Sequence, residues 1–165
     1  MLSSLNPFAR IDARPMAIRF ARRSAWAFLL GGVMQFAYAG AIWFYFDHAY
    51  AVMQSGGTTQ DGALSLRDDI RNLIVGWTVV VAWIFVLLAG IQWRWPNRML
   101  SVLGLAWTGY YFSSAAVSLA LGVADSSYYP MWVASIGYLC LLIALPLHIA
   151  GLRGAAAMAR GGLKA

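Results

Sequence analysis

Four long runs of apolar residues, separated by short polar or charged segments, dominate the pattern of the chain. They contain no Asp, Glu, Lys or Arg and cover residues 25–46, 73–93, 99–124 and 131–149. A helix needs about 20 apolar residues to cross a bilayer core of about 30 Å, so each run is long enough to cross once. The pattern therefore predicts an all-α membrane protein with four transmembrane helices.

Short connections between these runs predict how the helices are arranged. Residues 94–98 separate the second run from the third, and Pro96 and Asn97 in this segment suit a tight reversal. Residues 125–130 separate the third run from the fourth. Since helices joined by short turns pack as antiparallel neighbours, we predict an antiparallel four-helix transmembrane bundle.

The first loop, residues 47–72, is longer and predicts that the second helix begins outside the membrane. Ser65 and Asp68 resemble a capping box, in which side chains at these two positions satisfy backbone N–H groups at the start of a helix. The second helix is then expected to begin near Leu66 and to extend about two turns beyond the outer face.

Composition supports the membrane assignment. Of 165 residues, 61% are hydrophobic and 11% are charged, whereas a typical soluble domain is about 45–50% apolar and about 25% charged. All six acidic residues are aspartates, and Cys140 is the single cysteine. A disulfide framework, a CxxC redox pair and a multi-cysteine metal or iron–sulfur site within one chain are therefore excluded.

The charged residues predict the orientation. Ten of the 12 Lys and Arg residues lie with Asp12 on one side of the four runs, for a net charge of +9, and Arg67, Arg71 and five aspartates lie on the other, for a net charge of −3. Because basic residues are retained in cytoplasmic loops, we expect both termini in the cytoplasm, N-in and C-in, and a bacterial-type inner membrane. The net charge of +6 then indicates contact with anionic lipid headgroups at the inner face, and no binding of nucleic acid.

Two short basic segments flank the predicted membrane domain, residues 25–152. Residues 1–24 are expected to be a cytoplasmic interfacial segment, and residues 153–165 a short cytoplasmic tail. The first of these has apolar residues at helical spacing, at Leu2, Leu5, Phe8 and Ile11. This spacing beside basic residues predicts a short amphipathic helix in the inner interface.

Candidate chemistry is sparse. No ionisable Asp, Lys or Arg is predicted near the middle of a span, so we expect no catalytic residues, no metal site and no ion-coupled transport. His48 and His148 are the two weak candidates for binding a cofactor such as haem or a quinone. They are predicted at opposite faces of the membrane, so one chain does not hold a haem between them, and no resident cofactor is expected.

Polar and small residues inside the spans form the most informative pattern. Gln35 is the polar residue of the first span, and the third span carries small and hydroxylated residues at steps of three and four: Thr108, Tyr111, Ser114, Ser118 and Gly122. Such faces allow close helix contact and interhelical hydrogen bonds in lipid. We expect the Gln35 amide to bond to Thr108, Tyr111 or Ser135, because an unpaired amide in hydrocarbon is costly.

These features favour a non-catalytic integral membrane subunit or accessory protein. It would assemble through its small-residue faces into a larger membrane complex with a protein partner, or into a homo-oligomer. The first alternative is a carrier or channel for a neutral or lipidic solute that uses the polar residues of the spans. The second alternative is a redox subunit that binds quinone or haem near one histidine.

Overall fold

The computed structural model describes residues 8–54, 63–120 and 131–160. They contain four helices and no β-strand: α1 (Arg14–Gln54), α2 (Ala63–Arg94), α3 (Arg98–Ala120) and α4 (Met131–Ala159). The predicted all-helical class and the number of helices are therefore confirmed.

Three of the four helices contain a segment long and apolar enough to cross a membrane. These segments are Arg14–Asp47 in α1, Arg67–Arg94 in α2 and Trp132–Ala159 in α4. The described part of α3 is not among them, because serine, threonine, tyrosine and glycine are interspersed with its apolar residues. Residues 121–124 of the predicted third span lie outside the described residues.

α1 and α2 are longer than the predicted spans. α1 begins at Arg14, inside the segment predicted to lie in the interface, and α2 begins at Ala63, so that Ser65 falls within the helix. Residues 9–12 are not helical, unlike the predicted amphipathic helix, whose residues 1–7 lie outside the described part of the chain. A tertiary contact holds this segment against α4: the Arg153 guanidinium donates a hydrogen bond to the carbonyl oxygen of Ala9 at 3.2 Å.

α1 is the central helix of the bundle. Its backbone approaches α2 along one side and α4 along the other, while α3 packs against α4 and more lightly against α1. α2 and α3 meet through side chains, such as the rings of Phe85 and Trp107, whose centroids are 5.7 Å apart. The short turn between α2 and α3 therefore does not make them a closely packed pair.

One end of the bundle, called here the basic end, brings together the start of α1, the end of α2, the start of α3 and the end of α4. There the Arg22 guanidinium donates a hydrogen bond to the carbonyl oxygen of Trp93 at 3.2 Å and lies over the Trp93 ring. Much of the buried core lies toward this end, including Ala17, Phe20, Ala21, Ala25 and Phe28.

At the other end, called here the acidic end, ion pairs join the end of α1 to the start of α2. Asp47 pairs with Arg67 and Arg71, and Arg71 also pairs with Asp68 at 3.2 Å. The Arg71 guanidinium lies over the ring of Trp43, 4.6 Å from its centroid. These contacts hold the first turns of α2 against α1.

Candidate functional site

A cluster of buried polar side chains joins all four helices at the basic end. Its core is formed by Ser24 of α1, Gln92 of α2, Ser101 of α3 and His148 of α4, which are at most 1% exposed. Polar groups removed from water are stable only when they are hydrogen-bonded. The cluster therefore depends on the contacts between its members.

Gln92 links three helices. Its side-chain amide NH₂ donates to the carbonyl oxygen of Ala21 in α1 and to the hydroxyl of Ser101 in α3, both at 3.1 Å. Its side-chain oxygen accepts the backbone N–H of Asn97 at 3.1 Å, at the turn before α3. The Ser101 hydroxyl donates in turn to the carbonyl oxygen of Asn97. Both ends of the Gln92 amide are thus satisfied inside the protein.

His148 links α4 to α1 and α3. Its Nδ1 and the Ser24 hydroxyl share a hydrogen bond of 2.7 Å, in which the tautomer of the imidazole decides the donor. The ring packs edge-on against Phe28, with centroids 4.8 Å apart. It also lies directly on Gly104, where a β-carbon would stand within 2.5 Å of Nδ1. Only glycine at position 104 leaves this space to the imidazole.

Close backbone approach completes the basic end. Gly151 of α4 faces Ser24 and Ser101, and Gly154, one turn farther along, lies against the backbone of Ala17 and Ala21 in α1. Glycines at helix contacts allow this approach in membrane proteins. The two glycines therefore hold α4 in close contact with α1 at the basic end.

The cluster has the donors and acceptors for binding but no open face. The Ser24–His148 pair resembles a nucleophile with its base, yet Ser24 is fully buried and His148 is 1% exposed, so a substrate does not reach either group. Axial ligation of a haem iron by His148 would require displacing Gly104 or Phe28 from the ring. Among the described residues, no group of three His, Cys or Asp side chains is placed to hold a metal ion.

The residues of the predicted polar faces are placed differently from one another. Gln35 and Thr108 are buried, at 9% and 4% exposure, whereas Tyr111 is 37% exposed and Ser114 is exposed. No hydrogen bond between Gln35 and Thr108 or Tyr111 is found among the described residues. His48 and Ser118 lie within α1 and α3, but their side chains are outside the described part of the chain, as is all of Gly122.

Sequence reasoning missed Ser24, Ser101 and Gln92 as members of one cluster. The available signal was Gln92 itself, a strongly polar residue within an otherwise apolar run. Its partners had no comparable signal, because serine is common at helix contacts and next to membrane boundaries.

A second feature is a row of small residues on the outside of α3. The row recurs at alternating steps of three and four and consists of Ala106, Gly109, Ser113, Ala116 and Ala120. Gly109 is half-buried and the other four are exposed. At Gly109 no atom lies within 4 Å of the position of a β-carbon. This row, called here the α3 stripe, is therefore left uncovered by the part of the chain that the structure describes.

Ser24→Ala tests the hydrogen bond between α1 and α4. The substitution is expected to lower the free energy of unfolding by about 1–2 kcal/mol, because it leaves a buried nitrogen of His148 without a partner. Ser24→Ala, His148→Leu and the double variant form a cycle, measured by unfolding in mixed detergent micelles. A coupling energy of about 1 kcal/mol is expected, and strictly additive effects would contradict the bond.

Comparison with protein-family models, with curated proteins and with solved structures found no match to this chain.

Proposed function

We propose that the protein is a non-catalytic integral membrane subunit that assembles with further copies of itself or with another membrane protein through the α3 stripe. The observation that carries this proposal is the exposure of the stripe on a helix whose opposite face is used inside the bundle. Helices associate in lipid by close packing of such small-residue surfaces, since lipid chains compete equally for apolar side chains.

The composition of α3 supports the same proposal. On its outer side α3 carries Gly109 and the hydroxyl groups of Ser113 and Ser114, and its described part, residues 98–120, is not among the segments found apolar enough to span a membrane. A helix of this kind is better covered by protein than by lipid, because protein offers partners for its hydroxyl groups. We infer that α3 also crosses the membrane, with the α3 stripe against a partner helix.

The proposed placement is an antiparallel bundle with both termini in the cytoplasm. Its support is the pairing of helix ends: Arg22 near the start of α1 contacts Trp93 at the end of α2, while Asp47 near the end of α1 contacts Arg67 at the start of α2. The basic end would then face the cytoplasm and anionic headgroups, as the retention of basic loops on that side requires. A bacterial-type inner membrane is the location that we propose.

Gly109→Leu is expected to disrupt the assembly. A leucine in the middle of the α3 stripe holds the partner helix away, and we expect the dissociation constant of the oligomer to rise at least about tenfold, equivalent to about 1.4 kcal/mol. Gly90→Leu on α2 is the matched control, because no atom lies within 4 Å of a β-carbon at either glycine. The measurement is the molar mass of the protein in mild detergent by light scattering, at several concentrations.

Either of two results would sink the proposal. One is a wild-type protein that is monomeric at all concentrations and purifies without another protein. The other is a Gly109→Leu variant that assembles as well as the wild type. Ser113→Cys in a Cys140→Ala background gives an independent readout, since a partner copy seated on the stripe would permit a disulfide between the two chains.

A further inference from the structure

A half-open cavity of about 600 Å³ lies between α1 and α4, toward the acidic end. Its floor is made of the small residues Ala37, Gly40 and Ala41 of α1, the Tyr38 ring of α1 packs against Gly137 of α4, and its rim includes Tyr45 and Trp132. Cavities of about 300–1,000 Å³ lined by apolar and aromatic side chains are the usual size and composition of ligand sites. The cavity is separate from the buried polar cluster and from the α3 stripe.

The lining determines the chemistry of the occupant. None of the lining residues is an Asp, Lys, Arg or His, so the part of a ligand that enters the cavity is uncharged and apolar. The floor is open down to the backbone, because no atom lies within 4 Å of a β-carbon position at Gly40. A slender hydrocarbon chain suits such a floor better than a ring that needs hydrogen-bond partners.

The length of the cavity matches one leaflet. Its α1 wall extends from Met34 to Tyr45, twelve residues that span about 16 Å of helix, which is about half of a bilayer core of about 30 Å. Tyr45 and Trp132 stand at the end nearer Asp47, and exposed tyrosine and tryptophan favour the headgroup layer. A lipid whose headgroup lies at this aromatic rim can therefore place one acyl chain in the cavity without leaving its leaflet.

We propose that the cavity between α1 and α4 binds one acyl chain of a phospholipid from the leaflet at the acidic end. This rests on the membrane placement proposed above, but not on assembly through the α3 stripe. The bound chain would fill the space beside α4 that Ala37, Gly40 and Ala41 of α1 leave open. The lipid would thus be retained as part of the bundle.

The test uses the full-length protein in vesicles of phosphatidylethanolamine, a small fraction of which carries a diazirine on one acyl chain. After irradiation, mass spectrometry of peptides is expected to place most of the label on residues 34–45 and 132–137. Gly40→Leu, which fills the floor, is expected to reduce this labelling at least fivefold. Gly76→Leu on α2 is the matched control and is expected to label like the wild type, because its β-carbon position is equally open but lies outside the cavity.

Three outcomes would overturn the proposal. One is a photolabel that is spread evenly over all lipid-facing helices of the wild-type protein. This measurement does not depend on the folding of any variant. The second is unchanged labelling of 34–45 in Gly40→Leu. The third is preferential labelling of the cavity by a diazirine-bearing prenyl alcohol added to the same vesicles, or a cross-link there to a second copy of the chain. A monomeric protein that labels as expected would contradict assembly through α3 and support the lipid site.

Discussion

Gly154→Leu is expected to lower the free energy of unfolding by about 3 kcal/mol or more, the upper part of the range for overpacking a buried contact. At Gly154 a β-carbon would stand 2.5 Å from the carbonyl oxygen of Ala17 and closer still to the backbone nitrogen of Ala21. These are backbone atoms of α1, so no side chain can rotate away. The two helices must separate, and the buried polar cluster one turn below is disturbed with them.

Gly90→Leu is the control for Gly154→Leu in unfolding measured in mixed detergent micelles. At Gly90 the β-carbon position is open, and we expect a neutral or slightly stabilising effect of up to about 1 kcal/mol, because glycine is a poor helix former. Gly154→Ala is the smaller step if the leucine variant does not fold; it places the same β-carbon against the α1 backbone, and a loss of about 1–3 kcal/mol is expected. Equal stability of the variants at positions 154 and 90 would contradict the close approach of α1 and α4.

Gln92→Leu is expected to cost about 3 kcal/mol. The substitution removes three hydrogen bonds, each contributing about 1 kcal/mol, and leaves the N–H of Asn97 without its partner. Because Gln92 joins α1, α2 and the turn before α3, the loss should also loosen the start of α3. Faster amide hydrogen exchange at residues 98–101 is the expected local sign.

Thr78→Val is the matched control for Gln92→Leu. Thr78 also lies on α2, but its hydroxyl donates to the carbonyl oxygen of Ile74 within the same helix, at 2.8 Å. Its removal is expected to change stability by less than about 0.5 kcal/mol, since no contact between helices is lost. If Gln92→Leu were as mild as Thr78→Val, the polar cluster would not be what holds the basic end together.

These two predictions separate the role of the buried cluster from the roles of the outer surfaces. Variants at Gly154 and Gln92 are expected to change the stability of a single chain, whereas Gly109→Leu changes assembly and Gly40→Leu changes lipid binding. The distinction follows from where the residues lie. Gly154 and Gln92 contact other helices inside the bundle, whereas at Gly109 and Gly40 there is open space where a side chain would stand.

The sequence predicted the elements well because helix formation in apolar runs is a local property. Runs of about 20 apolar residues need only satisfy their own backbone hydrogen bonds to be stable as helices. It predicted the ends of the helices less well: α1 begins at Arg14, although four of the residues 14–23 are arginines. Arginine is a good helix former, and its side chain lies along its neighbours, as Arg23 does over Phe20 at 4.1 Å.

The candidate site shows why the spacing of small residues along a helix does not reveal which of its faces packs within the chain. Small residues at steps of three and four on α3 indicate a packing surface, but α3 has two such faces. The face with Gly104 and Thr108 is buried within the chain, and the face with Gly109 and Ser113 is outside. Both have the same period, so only the position of α4 beside α3 distinguishes them.

By itself, then, the sequence determined the helical class, the number of helices and the apolar character of the chain, because each depends on residues close together along the chain. Only the tertiary structure decided that Ser24, Gln92, Ser101 and His148 meet, since those residues come from four different helices. It also decided that His148 is buried against Gly104. Such contacts depend on the rotation and crossing of each helix, which the backbone approach at Gly151 and Gly154 fixes.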